Sequence, residues 1–463
     1  MLMKLNKIIL IVAILFLGLN ANAQEKTRTI TIEEFIKLAC QKDTAFQKIL
    51  IDELKLKYKK AIELPARDLV VSIESQYVFL FNPDEDDTES SISLSKLFPF
   101  VGTEIEAEYS SSVSTTTRNV SSGLTLEISQ SIAQNAFGRG ARLLDKITGL
   151  EIDVARYQIA EAYEDYLASL FKLYYDWYSA FESLRTAQSS YNENLKLLEN
   201  IKEREKNKIA LPIDVNKITL QVLAKKENLI SRQNQYNDYL NKIKEALRYE
   251  EDIQIEPQES LLYEDLTIDF VRDYERFNTQ SRTAQVLKLL EDKSSLEVDK
   301  YADELLPSIN LLLGYTLEGS SHKIESENTA YAGLSLEFPL PGELERAEYE
   351  TSKIELRKTR LSSETTHARL YTDLKNLNNQ MQRERELISV AQEKIKLAEA
   401  IVEDEKENYS LGRSTLNDLI DEVNKLEDNK FSKITHNIQL RKLIVEWLRL
   451  SDALIREGEV AWR

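Results

Sequence analysis

The sequence predicts a mainly α chain with a small β part, built as a duplication. Each half holds strands and then a long antiparallel α-helical hairpin. Three observations carry this prediction. One order of elements (short helix, strand region, long helix, tight turn, long helix) runs twice through the 463 residues, and repeats of whole units constrain architecture strongly. Two stretches, Leu144 to Lys206 and Glu345 to Asn408, lack proline and hold one glycine between them, Gly149. Strand-like alternation occurs only between the first helix and the long helix of each half.

Residues 1–23 read as a signal peptide. Lys4 and Lys7 form the charged start, Ile8 to Leu19 the apolar stretch, and Ala21-Asn22-Ala23 the cleavage site. A retained anchor is the other reading, but the apolar run is short for a membrane span. The sole cysteine, Cys40, lies well past the cleavage site, so no internal disulfide supports the fold. The first repeat then covers 24–258 and the second 259–463. Leu64-Pro65 precedes the first strand of one half and Leu306-Pro307 that of the other. These prolines are 242 residues apart, while Thr125-Leu126-Glu127-Ile128 and its match Ser335-Leu336-Glu337-Phe338 are 210 apart. The first half therefore carries 32 extra residues between the two landmarks.

Strands are expected where apolar and polar residues alternate. Val71, Ile73, Tyr77, Phe79 and Phe81 alternate with Ser72, Glu74 and Gln76 over 70–81. Leu124, Leu126 and Ile128 alternate with Thr125, Glu127 and Ser129, and Leu334, Leu336 and Phe338 with Ser335 and Glu337. A further strand is expected at 308–315. The extra residues fit an added hairpin, 91–95 and 103–109, about Pro99-Phe100-Val101-Gly102. Five acids and a proline make 82–89 an exposed loop. Such two-sided strands suit a membrane barrel with lipid outside and a wet lumen, or an amphipathic sheet on a soluble core; the strands alone leave both readings open.

Each long run would extend roughly 95 Å as a helix at about 1.5 Å per residue. Leu195, Leu198 and Ile201 form one apolar stripe, and Ile388, Ala391, Ile395 and Ala398 another. Helices of this length belong to coiled coils. Return helices are expected from about 213 to 249 and 416 to 455, with Pro212 in a first turn, where its missing N–H costs nothing. Tyr163, Tyr166, Phe171, Tyr174, Tyr175, Trp177, Tyr178 and Phe181 read as helical core packing.

Removing Lys4 and Lys7 takes the formal charge from −18 to −20, which argues against nucleic acid and anionic lipid surfaces. His322, His367 and His436 are far apart, and no phosphate loop or nucleophile elbow occurs, so no cofactor, metal site or enzyme activity is expected.

Several passages together resemble the TolC-like family of outer membrane efflux proteins. They are the duplicated element order, the two Leu-Pro pairs, Leu126-Glu127-Ile128-Ser129-Gln130-Ser131-Ile132 with its counterpart Leu336-Glu337-Phe338-Pro339-Leu340-Pro341-Gly342, and Tyr409-Ser410-Leu411-Gly412 followed by Asp418 and Asp421. The resemblance spans nearly the whole mature chain. It implies a homotrimer in the outer membrane of a Gram-negative bacterium, each chain giving four strands to one shared transmembrane β-barrel and its hairpins to a periplasmic α-barrel. It implies a periplasmic adaptor and an inner-membrane transporter of RND or ABC type as partners. The function expected is the exit duct of a tripartite efflux or type I secretion system.

The resemblance places the gate at the helix tips. Asp418 and Asp421 match two gate aspartates; being three apart they share a helix face, and a trimer would stack them as two carboxylate rings. Tyr409, Gly412, Arg413 and Asp214 are the expected closed-state tip contacts, with Arg413 paired to Asp214. The chain departs from the pattern here: Ser414 stands where the basic partner is usual, Ala210 where glycine is usual, and Asn216 where an acid is usual. Phe79, Phe81 and Phe100 fit an interfacial aromatic belt. The rival reading is a soluble periplasmic coiled-coil adaptor or structural spacer. An adaptor needs a lipoyl-like or β-barrel domain between hairpin halves, and none is found. A third reading, an enzyme on a helical scaffold, has no motif to support it.

Overall fold

The computed structural model describes residues 28–78, 87–114, 120–249, 254–259, 268–320 and 323–454. The expected signal peptide lies outside them, as do Phe79, Phe81 and His322. In chain order the elements are β1 (Arg28–Ile30), α1 (Ile32–Lys42), α2 (Thr44–Glu63), β2 (Leu69–Val78), β3 (Asp87–Phe98), β4 (Thr103–Ser114), β5 (Val120–Ser131), α3 (Arg139–Lys206), α4 (Pro212–Leu247), β6 (Ile255–Pro257), α5 (Phe270–Gln280), α6 (Arg282–Glu304), β7 (Ser308–Ser320), β8 (Lys323–Glu337), α7 (Glu343–Ser410) and α8 (Leu416–Leu450). The chain is mainly helical. α3 and α7 are 68 residues each, and α4 and α8 are 36 and 35.

Two compact units form, and they do not follow the sequence repeat. One gathers Gln47–Tyr163 and Val271–Asp373; the other gathers Met1–Phe46, Glu164–Phe270 and Leu374–Arg463. The first unit contains an antiparallel six-stranded sheet, β2-β3-β4-β5-β7-β8. Four strands were expected from the resemblance, and the sheet has six. The extra residues of the first half form β3 and β4, which take full places between β2 and β5 through continuous registers. β3 begins at Asp87, so the acidic loop expected through 89 ends sooner. β7 runs on to Ser320, past the expected end at 315.

The register sorts the side chains into two faces. Ile73, Ile92 and Tyr109 lie in one cross-strand row, and Leu94, Ala107, Leu126 and Tyr315 in another. The opposite face carries Glu74, Glu106, Glu108, Glu127, Thr316 and Thr329. The apolar face is the open one: Ile73 is 76% exposed, Ile128 44% and Leu334 69%. On β3 the serines of the polar face are the more covered side chains, the sense of a sheet curved around its polar face. A soluble sheet does the reverse, because burying apolar area is what stabilises it.

The β3–β4 turn is anchored at one end of the sheet. Val101 donates to the Phe98 carbonyl at 3.1 Å, and the Gln130 amide donates to the carbonyls of Val101 and Gly102 at 2.9 and 3.1 Å. Arg142 donates to the Phe100 carbonyl at 2.6 Å. Phe100 sits in this turn, with the Arg67 guanidinium 4.2 Å over its ring. Gly138 has no room for a side chain: a Cβ there would lie 2.3 Å from the Phe100 carbonyl carbon. The passage from β5 into α3 is tightly wound, with positive φ at Asn135, Phe137 and Gly138. The buried Asp303 carboxylate holds it, accepting from the Asn135 N–H at 2.9 Å.

In the second unit, β1 and β6 pair in parallel, Arg28 with Ile255 through Ile30 with Pro257. The Tyr174 hydroxyl lies 2.7 Å from the carbonyls of both Ile30 and Gln258. Tyr174, Tyr175 and Trp177 are buried around it, so the aromatic stretch packs a helical core as expected. Burial pushes the Cys40 thiol up to about 11. α3 and α4 run antiparallel, since Phe181 and Tyr236, nearly equidistant from the turn between them, meet in a tilted contact with ring centroids 5.9 Å apart. α7 and α8 do likewise, since Glu384 meets His436 at 2.8 Å and Glu399 meets Lys430 at 3.6 Å. Leu374, Met381, Ala391, Ala398 and Val402 are buried along α7, a heptad-spaced stripe of the kind that packs coiled coils.

Candidate functional site

The expected gate residues lie at two short turns within the second unit, 207–211 between α3 and α4 and 411–415 between α7 and α8. Both turns are built alike. α7 ends with the Gly412 N–H donating to the Tyr409 carbonyl at 3.1 Å and the Arg413 N–H to the Asn408 carbonyl at 2.8 Å. That pair of bonds is a Schellman stop, which needs a left-handed residue, and Gly412 supplies it at φ +73. α3 ends with the same pattern, Lys208 to Glu205 at 2.9 Å and Ile209 to Arg204 at 2.8 Å. Lys208 takes the left-handed position at φ +59. The counterpart of Gly412 is therefore Lys208, not Ala210. By the same register Asp418 corresponds to Asp214, not to Asn216.

Both aspartates act as helix caps. Asp418 closes a capping box on α8: its carboxylate accepts from the Thr415 N–H at 3.0 Å and hydroxyl at 2.7 Å, and the Thr415 hydroxyl accepts from the Asp418 N–H at 3.3 Å. The Thr415 hydroxyl, then its N–H, hold the Asp418 carboxyl below the usual aspartate range. Asp214 accepts from the Leu211 N–H at 3.2 Å; leucine has no oxygen to return the bond, so this box is half made. Asp421 is exposed on the same side of α8 as Asp418.

Within the single chain, no Arg413–Asp214 ion pair is present among the described residues. Asp214 is turned to its own helix end, and Arg204 reaches across to the other turn. Its guanidinium lies 5.0 Å from the centroid of the Tyr409 ring and 3.5 Å from the Ser410 carbonyl. Tyr409 packs on a buried cluster of Ile201, Ala210, Ile218 and Leu416, which binds the two turns together. Burial raises the Tyr409 hydroxyl above its ordinary range; Arg204 opposes and Asp214 adds to that shift.

Sequence reasoning missed the polar cluster two turns further along. Glu427 of α8 is 6% exposed. It is ion-paired with Lys225 of α4 and accepts from the Ser190 hydroxyl of α3 at 2.7 Å and the Asn228 amide at 3.3 Å. One turn nearer the tip, Gln221 donates to Asn424 at 2.7 Å. Nothing in the sequence marks Glu427 among 78 acids. A groove of 770 Å³ borders the cluster, lined by Arg204, Glu403, Lys406, Tyr409, Glu427 and Lys430 among others.

Among the described residues no helix is long and apolar enough to cross a membrane, and no group of three or more His, Cys, Asp or Glu is placed to hold a metal ion.

No protein-family model matches the chain, and no curated protein matches it by sequence. Solved structures match it over nearly its full length. CusC, from crystal structures describing folding and transmembrane channel formation, superposes with a TM-score of 0.70 at 10% identity, over 94% of this chain and 95% of CusC. The outer membrane protein VceC of Vibrio cholerae gives 0.70 at 12% identity, over 91% and 95%. The chain has the TolC-like outer-membrane channel fold. The Campylobacter jejuni CmeC outer membrane channel shares it, with a TM-score of 0.67 at 12% identity, over 92% of this chain and 86% of CmeC. The TolC-like fold is thus reached here with almost none of the sequence kept.

Proposed function

We propose that this chain forms a homotrimeric outer-membrane channel, the exit duct of a tripartite efflux or type I secretion system. The observation that carries this reading is the six-stranded sheet with one exposed apolar face and one face of glutamates, serines and threonines. Lipid is the medium that rewards such a face. A soluble coiled-coil spacer gives that face no partner, which weighs against the rival reading. Each of the two repeats, 24–258 and 259–463, contributes strands of this sheet and a helical hairpin, the first four strands and the second two, and the signal peptide sends the chain across the inner membrane. CmeC and VceC are an outer membrane channel and an outer membrane protein, which supports the same placement for this chain. A periplasmic adaptor and an RND or ABC transporter supply energy, and the chain itself catalyses no reaction.

The gate lies at the helix tips. Tyr409, Gly412, Arg413 and Asp214 shape the closed tip, with Arg204 added over the Tyr409 ring. Asp418 and Asp421 form the cation-binding rings in the trimer. Asp421 carries this role more directly, because an Asp418 oxygen is engaged in the capping box. Single-channel current through the purified protein tests the reading. The expected result is a small cation-selective conductance blocked by a trivalent cation, with Asp421→Asn resisting the block more than Asp418→Asn. Equal block in wild type and both variants moves the constriction elsewhere, and absence of conductance from folded protein, together with recovery from the soluble periplasm, overturns the channel.

A further inference from the structure

The sheet has two open edges. Among the described residues β2 pairs only with β3, and β8 only with β7. In a bilayer every backbone N–H and C=O on such an edge must find a partner, so open edges do not persist there. Six strands are also too few to close on themselves, since small closed barrels start near eight. The partner that fits is a second copy of this chain. Because every neighbouring pair is antiparallel and the strand number is even, β8 of one copy runs antiparallel to β2 of the next. Pairing them continues the apolar row from Leu334 and Leu336 onto Val71 and Ile73, all exposed, and keeps Glu74 on the polar side.

The added hairpin belongs to this wall. β3 is paired along ten residues with β2 and twelve with β4. Its outward face carries Ile92, Leu94 and Phe98, with Lys96 close to the turn, and its other face carries Ser91, Ser93 and Ser95. Its turn is fixed by Arg142, Gln130 and the Gly138 contact.

We propose that three copies close a single barrel of eighteen strands, where four strands per chain would give twelve. This rests on the trimeric channel reading above. Strand number sets barrel width: with neighbours about 4.8 Å apart and a tilt of about 40°, eighteen strands give a backbone diameter of roughly 36 Å and twelve roughly 24 Å. The lumen in the membrane is half again as wide, with about twice the cross-section. The added width comes from β3 and β4, so the barrel mouth is wider than the four strands per chain expected from the sequence would give.

Single-particle imaging of the full mature chain in lipid nanodiscs tests this, with copy number counted independently by native mass spectrometry. Three copies and eighteen wall strands are expected. Three copies with a twelve-stranded wall and the hairpin outside it overturn the inference and leave the trimer standing. Any other copy number overturns the trimer reading, and the eighteen-stranded barrel with it. In a second arm, residues 79–119 are replaced by Asn-Gly, joining β2 to β5. The largest polyethylene glycol admitted from the extracellular side is then expected to shrink in diameter by about a third; an unchanged cut-off in folded trimers refutes the assigned width.

Discussion

Lys225→Met is expected to loosen the helix-tip region sharply, while Lys225→Met/Glu427→Leu restores it. Glu427 is 6% exposed and its Lys225 partner 12%. Removing one member of a buried ion pair costs about 3–5 kcal/mol, because the other charge stays buried and uncompensated, whereas replacing both by apolar groups is often neutral or better. Here Glu427 keeps two neutral donors, Ser190 at 2.7 Å and Asn228 at 3.3 Å, so the lower end applies. About 3 kcal/mol is roughly a 150-fold rise in the local opening equilibrium. Amide hydrogen exchange of the assembled protein reads this directly, since protection reports local opening. Protection over 419–431 should fall by about that factor in the single variant and recover in the double, with 124–131 of β5 unchanged as the control. If the two single substitutions add, with coupling under about 0.5 kcal/mol, the cluster is not an energetic unit and the argument fails.

Other outcomes follow from the same geometry. Gly412→Ala forces a side chain into φ +73 and should cost about 1 kcal/mol at that helix end, while Lys208→Gly should gain a similar amount; local exchange at residues 204–214 and 408–418 checks both. Arg204→Ala should lengthen single-channel open times by freeing Tyr409, and should do so more than Arg413→Ala. Ile128→Lys on the outward face should cost about 2–4 kcal/mol of membrane stability, less if its depth is near an interface, and Ser129→Lys on the inward face should be tolerated; urea unfolding of the reconstituted protein separates them. The depressed Asp418 carboxyl makes the α8 cap fully formed above pH 3.8. Its contribution should be lost as pH falls from that value through the lower folded one, and Asp418→Asn should flatten this acid dependence of exchange at Thr415 to Leu419.

The long helices were legible because a proline-free run of amphipathic sequence has few other fates, and their ends fell within a few residues of 206, 212, 410 and 416. The strands were legible by alternation, but their outer halves were not. Ser110 to Ser112 and Ser121 to Ser122 carry no apolar beat, and they are strand only because a neighbour pairs with them. The tip was half legible. Gly412 announces its turn, whereas Lys208 adopts the same φ against its own preference, forced by the bonds around it. Arg204 was missed because its contacts reach 206 residues along the chain to Ser410, and Glu427 because its significance lies in burial, which spacing does not encode.

The way the two halves of the chain are shared between the compact units bears on how the protein is made. One unit is assembled from three separate stretches, the last beginning at Leu374. A chain halted at residue 258 therefore holds the β2–β5 meander without β7, and α3 and α4 without α7 or α8. Neither unit exists at that point. Both units close only once the last stretch has been made, and a prematurely ended copy presents raw strand edges and bare coiled-coil seams. The compact units of this chain are thus each assembled from stretches far apart in sequence.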